Sequence, residues 1–165
     1  MSKFRPKSWI STLALTLVFS AAFSQGDPAL NNAELQEFAQ DYTDAWCSLD
    51  PKRVAEFYAE NGSLTINDGV PSNGREAIAR AAESYMVAFP DLVLEFDGLE
   101  FEDDRVNYHW TFRGTNSGPG GTGNAVHFSG YESWELNSDG RIESSLGYYD
   151  NEEYQRQLEL GVEPE

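Results

Sequence analysis

The sequence predicts a single α+β domain in which N-terminal helices pack on one face of a curved antiparallel sheet. Three observations lead to this fold class. Apolar residues recur at helical spacing through residues 33–88, and they alternate at strand spacing from residue 92 to residue 149. The chain has 165 residues, which is enough for one domain with a substantial core. We find neither an internal repeat nor a second domain in it.

Helices dominate the first half of the predicted domain. The first runs from about Ala33 to Ser48 and carries an apolar stripe. Asp50-Pro51 starts a short second helix, and Asn61-Gly62 would end it with residues suited to a left-handed cap. A short strand over residues 63–67 then leads to a third helix from Arg75 to about Ala88.

Strands dominate the second half. One begins at Leu92, and the stretch from Arg105 to Leu136 reads as two long strands around a glycine-rich hairpin loop. The last strand is predicted from Arg141 to Tyr149, with residues 142, 144, 146 and 148 on one face. Asp150 would cap a short terminal helix.

One carboxylate stands among the inward positions of the second hairpin strand. The residues of that parity are Val126, Phe128, Gly130, Glu132, Trp134 and Leu136. An acid on the core face of a strand is costly unless it is paired or useful. Because burial raises the pKa of a carboxyl group, Glu132 could hold or pass a proton near neutral pH. The other interpretation is a Glu paired with a pocket hydroxyl or amide, or displaced to the rim by a bulge.

Aromatic residues fill the predicted interior. Rings with hydroxyl and indole donors suit a flat, apolar, oxygenated ligand, although most interior rings are simply core. Tyr85 is expected on the buried side of the third helix. We assign the following side chains to a ligand pocket: Tyr42, Trp46, Tyr58, Phe89, Tyr108, Trp110, Phe128, Trp134 and Tyr148.

The charge of the chain is strongly negative. It has 28 acidic and 11 basic residues, giving a formal charge of −17, and all the acids follow Gln25. Such a surface repels nucleic acid phosphates and anionic lipid headgroups. We therefore expect no nucleic acid partner.

The N-terminus reads as a signal peptide. Lysine and arginine residues within the first seven positions precede an apolar run from Ile10 to Phe23, and Ala22-Phe23-Ser24 fits a small-x-small cleavage site. We predict a signal peptide over residues 1–24 and a secreted or periplasmic product without stable membrane association. An uncleaved anchor is the alternative.

Cysteine and histidine are scarce. Cys47 is the only cysteine, which excludes an intramolecular disulfide, and we interpret it as a small buried side chain. His109 and His127 have outward parity on their strands, so they make a poor metal site. We expect neither a metal nor a cofactor, and we expect this outer sheet face to be polar or to form a homodimer.

Several short segments, in order and spacing, resemble the SnoaL-like polyketide cyclase family of the nuclear transport factor 2-like superfamily. The likeness covers residues 33–158. The segments are Ala45-Trp46 with Leu49-Asp50-Pro51, Phe57 to Gly62, Gly74 to Ile78, Phe89 to Leu92, Gly114 to Gly118, Asp139 to Ile142, and Tyr149-Asp150 with Gln157-Leu158.

The resemblance implies a cone-shaped domain whose helices and concave sheet enclose one apolar pocket. Glu132 stands near the position where the cyclases carry a pocket aspartate that acts as a general acid/base. Asn116 falls where cyclases often have a histidine; it cannot exchange protons, but it can donate a hydrogen bond to an oxyanion. Asn is also a common turn residue beside glycines, and for Asn116 we favour this turn interpretation. Proteins of this kind also commonly form dimers through the outer sheet face.

Two functions follow as hypotheses. The first is cofactor-independent acid/base chemistry, of cyclase or isomerase type, on a carbonyl or ester substrate, with Glu132 as proton carrier and Asn116 as positioner. The second is a non-catalytic module that binds a small apolar or aromatic molecule or serves in dimerisation. The missing histidine and the predicted export favour the second, because export is unusual for a biosynthetic cyclase.

Overall fold

The computed structural model describes residues 30–102 and 104–163, and the predicted signal peptide over residues 1–24 lies outside them. Within the described part, helices and strands follow the predicted order, with helices first and long strands after them. The elements are α1 Asn32–Cys47, α2 Pro51–Ala55, β1 Tyr58–Ile66, β2 Ser72–Asn73, α3 Arg75–Ala88, β3 Val93–Glu102, β4 Arg105–Thr115, β5 Ala125–Leu136, β6 Ile142–Tyr149 and α4 Asn151–Leu160.

Local chemistry explains where the helices begin. The Asn31 side chain accepts from the backbone N–H of Glu34, and the Glu34 carboxylate accepts from the backbone N–H of Asn31, which makes a capping box for α1. Asp50 caps α2 ahead of a proline at its first position. Asp150 caps α4 through the backbone N–H of Glu153.

The sheet has six strands in the order β2-β1-β6-β5-β4-β3. Neighbouring strands pair antiparallel except β1 and β6, which pair parallel, so this curved sheet is mixed rather than purely antiparallel. Residues of α1 and α3 join those of the sheet in one buried cluster. The α+β class and the helices-on-sheet layout are therefore confirmed.

The hairpin of β4 and β5 alternates as its sequence predicts. Inward residues of β5, from Val126 to Trp134, are buried or nearly so, whereas His127, Ser129 and Glu135 are exposed. Glu132 lies opposite Tyr108 of β4 in the register. The parity argument thus places the Glu132 side chain on the core face.

The predicted extent of the second helix is wrong. Helix α2 ends at Ala55, and β1 already begins at Tyr58. Asn61-Gly62 lies in an irregular part of β1 rather than at a helix cap, because the register with β6 shifts between Tyr58 and Ser63. A Cβ atom on Gly62 would lie 2.7 Å from the backbone oxygen of Ile142, so glycine permits the close approach of β6 here.

A bulge in β6 reverses the predicted faces of that strand. Glu135 pairs with Ser144 and Leu136 with Ile142, which leaves Glu143 as an extra residue. Beyond this point the odd-numbered residues of β6 face the core. Tyr148 is consequently 38% exposed on the outer face, and its assignment to the pocket is wrong.

Aromatic side chains also line the outer sheet face. The ring of Tyr131 lies 5.1 Å from that of Tyr148 and 5.6 Å from that of His109. The outward parity predicted for His109 and His127 is confirmed, since His109 sits 3.4 Å from the exposed Glu100 carboxylate and His127 is exposed.

Cys47 is exposed rather than buried. Its sulfur lies beside β3, where it accepts from the backbone N–H of Leu94 at 3.2 Å and donates to the Leu94 carbonyl at 3.3 Å. The sequence interpretation failed because Cys47 lies in the last turn of α1, at the margin of the apolar stripe. Within the described residues, no helix is long and apolar enough to span a membrane.

Candidate functional site

Glu132 is held in the centre of the sheet by the strands on either side. On β5 it pairs with Tyr108 of β4 and with Gly147 of β6. The side chain is 7% exposed, so the carboxyl group is removed almost entirely from water. An ionised carboxylate in such a place requires hydrogen-bond donors around it.

Four side chains direct donors at one oxygen of Glu132. Its Oε2 lies 2.6 Å from the Ser145 Oγ, 3.0 Å from the Trp134 Nε1, 3.1 Å from the Tyr42 hydroxyl and 3.3 Å from the Tyr58 hydroxyl. The two tyrosine hydroxyls lie 3.0 Å apart. The other oxygen, Oε1, has a longer contact of 3.2 Å with Tyr42. Oε1 therefore has fewer hydrogen-bond contacts than Oε2.

Burial sets the protonation chemistry of this cluster. Burial raises the pKa of Glu132 above its ordinary value of 4.5, and the hydrogen bonds from Ser145, Trp134 and the two tyrosines oppose that rise. Burial, followed by the nearby Glu132 carboxylate, raises the pKa of Tyr42 and of Tyr58 well above 10.0. The tyrosines therefore remain donors, and Glu132 is the group in the cluster that gains and loses a proton.

A cavity of about 50 Å³ opens beside Glu132 and is partly open to solvent. Its wall is almost wholly apolar, with Glu132 as its ionisable carboxyl. The lining residues are Trp46, Leu64, Ile66, Tyr85, Leu94, Trp110, Phe112, Phe128, Glu132, Gly147 and Tyr149. The ring of Trp110 reaches across β5 because residue 130 is glycine, where a Cβ would lie 2.6 Å from that ring.

Two residues of this wall carry buried indole N–H groups that have no hydrogen-bond partner among the described residues. The residues are Trp46 and Trp110. The side chains are 7% and 8% exposed, respectively. The hydroxyls of Tyr85 and Tyr149 pair with each other at 3.1 Å. Residues of the wall thus carry hydrogen-bond donors, whereas Glu132 carries an acceptor.

The predicted pocket residues other than Tyr148 divide into three groups. Trp46, Trp110 and Phe128 line the cavity as predicted. Phe89 and Tyr108 are fully buried core: Phe89 packs on Phe112, and Tyr108 stacks on Trp134 with ring centres 4.6 Å apart. Tyr42, Tyr58 and Trp134 surround Glu132 through the hydrogen bonds described above.

Asn116 does not reach the cavity. Its Oδ1 accepts from the backbone N–H of Thr122 at 2.8 Å, and its Nδ2 donates to the Ala88 carbonyl at 3.4 Å. Asn116 therefore stabilises the β4–β5 loop, in agreement with the interpretation of this residue as a turn residue. A role as positioner beside Glu132 is not supported, because its polar atoms are engaged in the loop.

Three residues of β6 that belong to the site were missed by sequence reasoning. Ser145, Gly147 and Tyr149 face inward only because of the extra residue in β6. The sequence offered one signal, the consecutive Tyr148-Tyr149. Neighbouring residues of a strand face opposite sides, so two adjacent aromatic residues do not show which of them faces the core. Tyr85, expected inside but not assigned to the pocket, does line it.

No group of three or more His, Cys, Asp or Glu side chains within residues 30–102 and 104–163 is arranged to hold a metal ion. The polar groups of the site are Glu132 and the hydroxyl and indole groups around it.

Solved structures of similar fold come from several bacteria. A hypothetical protein of Catenulispora acidiphila with a ketosteroid isomerase-like fold, in complex with trimethylamine, is 17% identical, with a TM-score of 0.65 over 78% of this chain and 98% of that one. A putative SnoaL-like polyketide cyclase of Jannaschia sp. is 16% identical, with a TM-score of 0.67 over 77% and 92%. AclR of Streptomyces galilaeus, a putative hydroxylase, is 22% identical, with a TM-score of 0.65 over 78% and 97%.

These likenesses show the fold, which is the nuclear transport factor 2-like and ketosteroid isomerase-like fold. Among curated proteins, none matches the chain. The family model described as SnoaL-like polyketide cyclase matches residues 36–158, which is most of the chain. The chain therefore belongs to the SnoaL-like polyketide cyclase family.

Proposed function

We propose that the cavity binds a small carbonyl or ester compound and that Glu132 moves a proton on it without a cofactor. The observation that carries this proposal is a buried carboxyl group of raised pKa in the wall of an apolar cavity. Such a group can hold its proton near the pH at which it must release it, which suits general acid/base work. Membership of the SnoaL-like family supports chemistry on a small molecule.

The proposed step begins with ionised Glu132. Its Oε1 takes a proton from the carbon next to the ligand carbonyl, so a C–H bond breaks and an O–H bond forms. The electron pair of the C–H bond forms a C=C bond, and the π pair of the carbonyl moves to its oxygen, which gives an enolate. Protonated Glu132 then returns the proton to carbon, or to another atom of the ligand. The four donors at Oε2 hold the carboxyl in place throughout.

Exchange of α-protons tests this proposal without knowledge of the natural substrate. With cyclopentanone in D₂O, the protein should accelerate replacement of the α-hydrogens by deuterium, as followed by proton NMR. Glu132→Gln should remove the acceleration, because the amide cannot accept the proton. Glu135→Gln is the matched control, since Glu135 lies on the same strand but on the outer face beside Arg105.

Acceleration that survives unchanged in folded Glu132→Gln would refute the assignment of Glu132. Retained folding is checked by circular dichroism and by the melting temperature of each variant. If neither the original protein nor Glu135→Gln accelerates the exchange, the proposed proton transfer on ketones is wrong.

A second function, ligand binding without chemistry, is favoured by one observation. In the cavity wall, the hydroxyls of Tyr85 and Tyr149 pair with each other, and burial raises the pKa of Tyr85 above its ordinary value. Asn116 lies outside the cavity, so the described wall provides no second side chain suited to proton exchange near neutral pH. This function predicts that cyclopentanone raises the melting temperature while α-exchange stays at the uncatalysed rate.

Export is a separate proposal that rests on the sequence of the N-terminus. The basic residues, the apolar run to Phe23 and the small residues around it support cleavage after Ser24. Mass spectrometry of the protein recovered outside the cytoplasm should give a chain that begins at Gln25. A product that keeps residues 1–24 would instead support an anchor.

A further inference from the structure

Polar groups are unevenly distributed around the cavity. At one end, Glu132 is surrounded by donors that already have an acceptor. Along the wall, the indole N–H groups of Trp46 and Trp110 have none within the described residues. A buried donor without a partner destabilises the folded state. Both residues line the cavity, so a ligand acceptor that reaches either N–H would satisfy it.

Of the two indoles, Trp110 is the clearer donor. The Trp46 indole lies close enough to the Tyr42 hydroxyl to oppose weakly the rise that burial causes in the pKa of Tyr42. The Trp110 ring is fixed by its position above Gly130 and by edge contacts with Phe128 and Tyr149, at 5.9 and 6.3 Å between ring centres. Its N–H direction is therefore set by packing, before any ligand arrives.

The tyrosine pair adds a third donor. The Tyr85 and Tyr149 hydroxyls lie 3.1 Å apart, so one donates to the other and the second keeps a free hydrogen. Both residues line the cavity with the two tryptophans. The wall consequently presents more donors than acceptors, and a complementary ligand has the opposite balance.

We propose that Trp110, assisted by Trp46, selects ligands by donating indole N–H hydrogen bonds to acceptor oxygens, so that the pocket takes ketones, esters or ethers rather than ammonium compounds or hydrocarbons. This inference rests on the proposed function in that it concerns the ligand of the same cavity. It assigns Trp110 a specificity-determining role and gives it no part in proton transfer.

The size of the cavity limits what it encloses. Its volume of about 50 Å³ is smaller than the roughly 150 Å³ of an engineered cavity that holds benzene. A carbonyl group and its neighbouring atoms would be enclosed, and the rest of the ligand would extend toward the open mouth. Small probes with one acceptor are therefore suitable.

The indole N–H signals of the full-length protein provide the test. We compare cyclopentanone, methylenecyclopentane and tetramethylammonium by ¹H–¹⁵N NMR titration, with signals assigned through single Trp→Phe variants. Cyclopentanone should move the Trp110 signal downfield, and the Trp46 signal less. The Trp134 indole is the internal control, because it already donates to Glu132 at 3.0 Å. The two carbon skeletons are matched, so their difference isolates the acceptor oxygen.

Affinities give the second readout. Cyclopentanone should bind about fivefold to tenfold more tightly than methylenecyclopentane, which corresponds to one neutral hydrogen bond. In Trp110→Phe the ratio of the two affinities should fall to nearly one. The affinity for methylenecyclopentane should change little, because this alkene loses only a contact with the indole ring. Should Trp110→Phe not fold, the indole shifts of the unsubstituted protein still decide the matter.

Equal binding of ketone and alkene, or a ketone titration that leaves both indole signals in place, overturns the inference. Tighter binding of tetramethylammonium than of the ketone also overturns it, in favour of cation recognition by the rings and Glu132. Indole shifts without Glu132-dependent α-exchange would refute the proposed catalysis and leave the ligand class standing. Glu132-dependent α-exchange without indole shifts would refute the role of Trp110 and leave the proposed catalysis standing.

Discussion

The two ends of the cavity differ in how their polar groups are satisfied. Around Glu132, hydroxyl and indole donors converge on one oxygen, with the shortest contact at 2.6 Å from Ser145. Along the wall, the Trp110 indole is buried but has no acceptor among the described residues. Both ends consist of aromatic and hydroxyl side chains, so composition alone does not distinguish them.

The difference indicates that the two ends of the cavity have different roles. Groups whose hydrogen bonds are complete hold a geometry, and groups whose bonds are incomplete await a partner. The Glu132 end therefore fixes the carboxyl and its protonation, whereas the Trp110 wall chooses the ligand. The following substitutions separate the two roles, from the largest expected effect to the smallest.

Removing the carboxyl should have the largest effect on stability. Glu132→Ala leaves the Ser145 and Trp134 donors without an acceptor in a buried site, and should reduce the free energy of unfolding by about 3–5 kcal/mol. Glu132→Gln keeps an acceptor oxygen and should lose less than about 2 kcal/mol. Urea unfolding measures both. Glu135→Ala, which removes an exposed ion pair with Arg105, should cost less than about 1 kcal/mol. Equal losses for Glu132→Ala and Glu135→Ala would contradict the hydrogen-bonded cluster.

Two glycines test the packing of the wall. In Gly130→Ala the new Cβ would lie 2.4 Å from the Tyr148 backbone oxygen and 2.6 Å from the Trp110 ring, so the strand must shift. We expect a loss of about 1–3 kcal/mol in urea unfolding and a displaced Trp110 indole signal. In Gly147→Ala the nearest atom is the Glu132 Cγ at 3.6 Å, an ordinary contact. That variant should stay within about 1 kcal/mol of the original protein while narrowing the cavity. The opposite ranking would mean that Trp110 is not seated over Gly130.

One hydroxyl should tune the proton affinity of Glu132. Ser145→Ala removes the hydrogen bond that lowers the pKa of Glu132 most, so the pKa of Glu132 should rise further. Carbon-13 NMR of the side-chain carboxyl measures the change. Ser144→Ala is the matched control, because the neighbouring Ser144 lies on the outer face near Arg105. An unchanged pKa in Ser145→Ala would show that this hydroxyl does not bind the charged form.

The raised pKa of Glu132 also predicts the direction of a pH effect on stability. The folded state binds the proton more tightly than the unfolded state, whose carboxyl titrates near 4.5. This contribution is fully present below pH 4.5 and is lost as the pH rises through the folded pKa. Relative to Glu132→Gln, the original protein should therefore lose stability on going from pH 4 toward neutrality, as measured by urea unfolding at each pH. A relative gain over that range would mean that the pKa is lowered.

The outer face should matter least to stability. Tyr148→Ser changes an exposed side chain and should alter the free energy of unfolding by about 0.5 kcal/mol or less. We propose that the face carrying Tyr131, Tyr148 and His109 forms a homodimer, so the same variant should weaken self-association in analytical ultracentrifugation. A monomer before the substitution, at high micromolar concentration, would refute the dimer.

The features that were predicted correctly depend on residue spacing within one element. The features that were predicted wrongly depend on how distant strands pair. Helix α3 and the hairpin of β4 and β5 follow from apolar spacing alone, and so does the inward position of Glu132. The extent of α2 and the faces of β6 were wrong, because each depends on how β1 and β6 pair across a bulge. A bulge is decided by the partner strand, which the spacing of residues along one strand does not reveal.

The same reason explains why the donors around Glu132 were only partly foreseen. Tyr42 and Trp134 were expected inside, but Ser145 reaches the carboxylate only after the extra residue at Glu143. Asn116 was assigned through a family position, whereas its side chain serves the loop. Which indole N–H groups remain unpaired depends on the packing of the whole cavity, and a sequence does not contain that information in local form.

The most direct test of the account is the titration of Glu132 itself. The side-chain carboxyl carbon, labelled with ¹³C and assigned through Glu132→Gln, can be followed by NMR from pH 3 to pH 9. The account predicts a midpoint clearly above the ordinary 4.5, because burial outweighs the four hydrogen bonds. A midpoint at or below 4.5 would contradict it, since Glu132 would then be a permanently ionised structural group rather than a proton carrier.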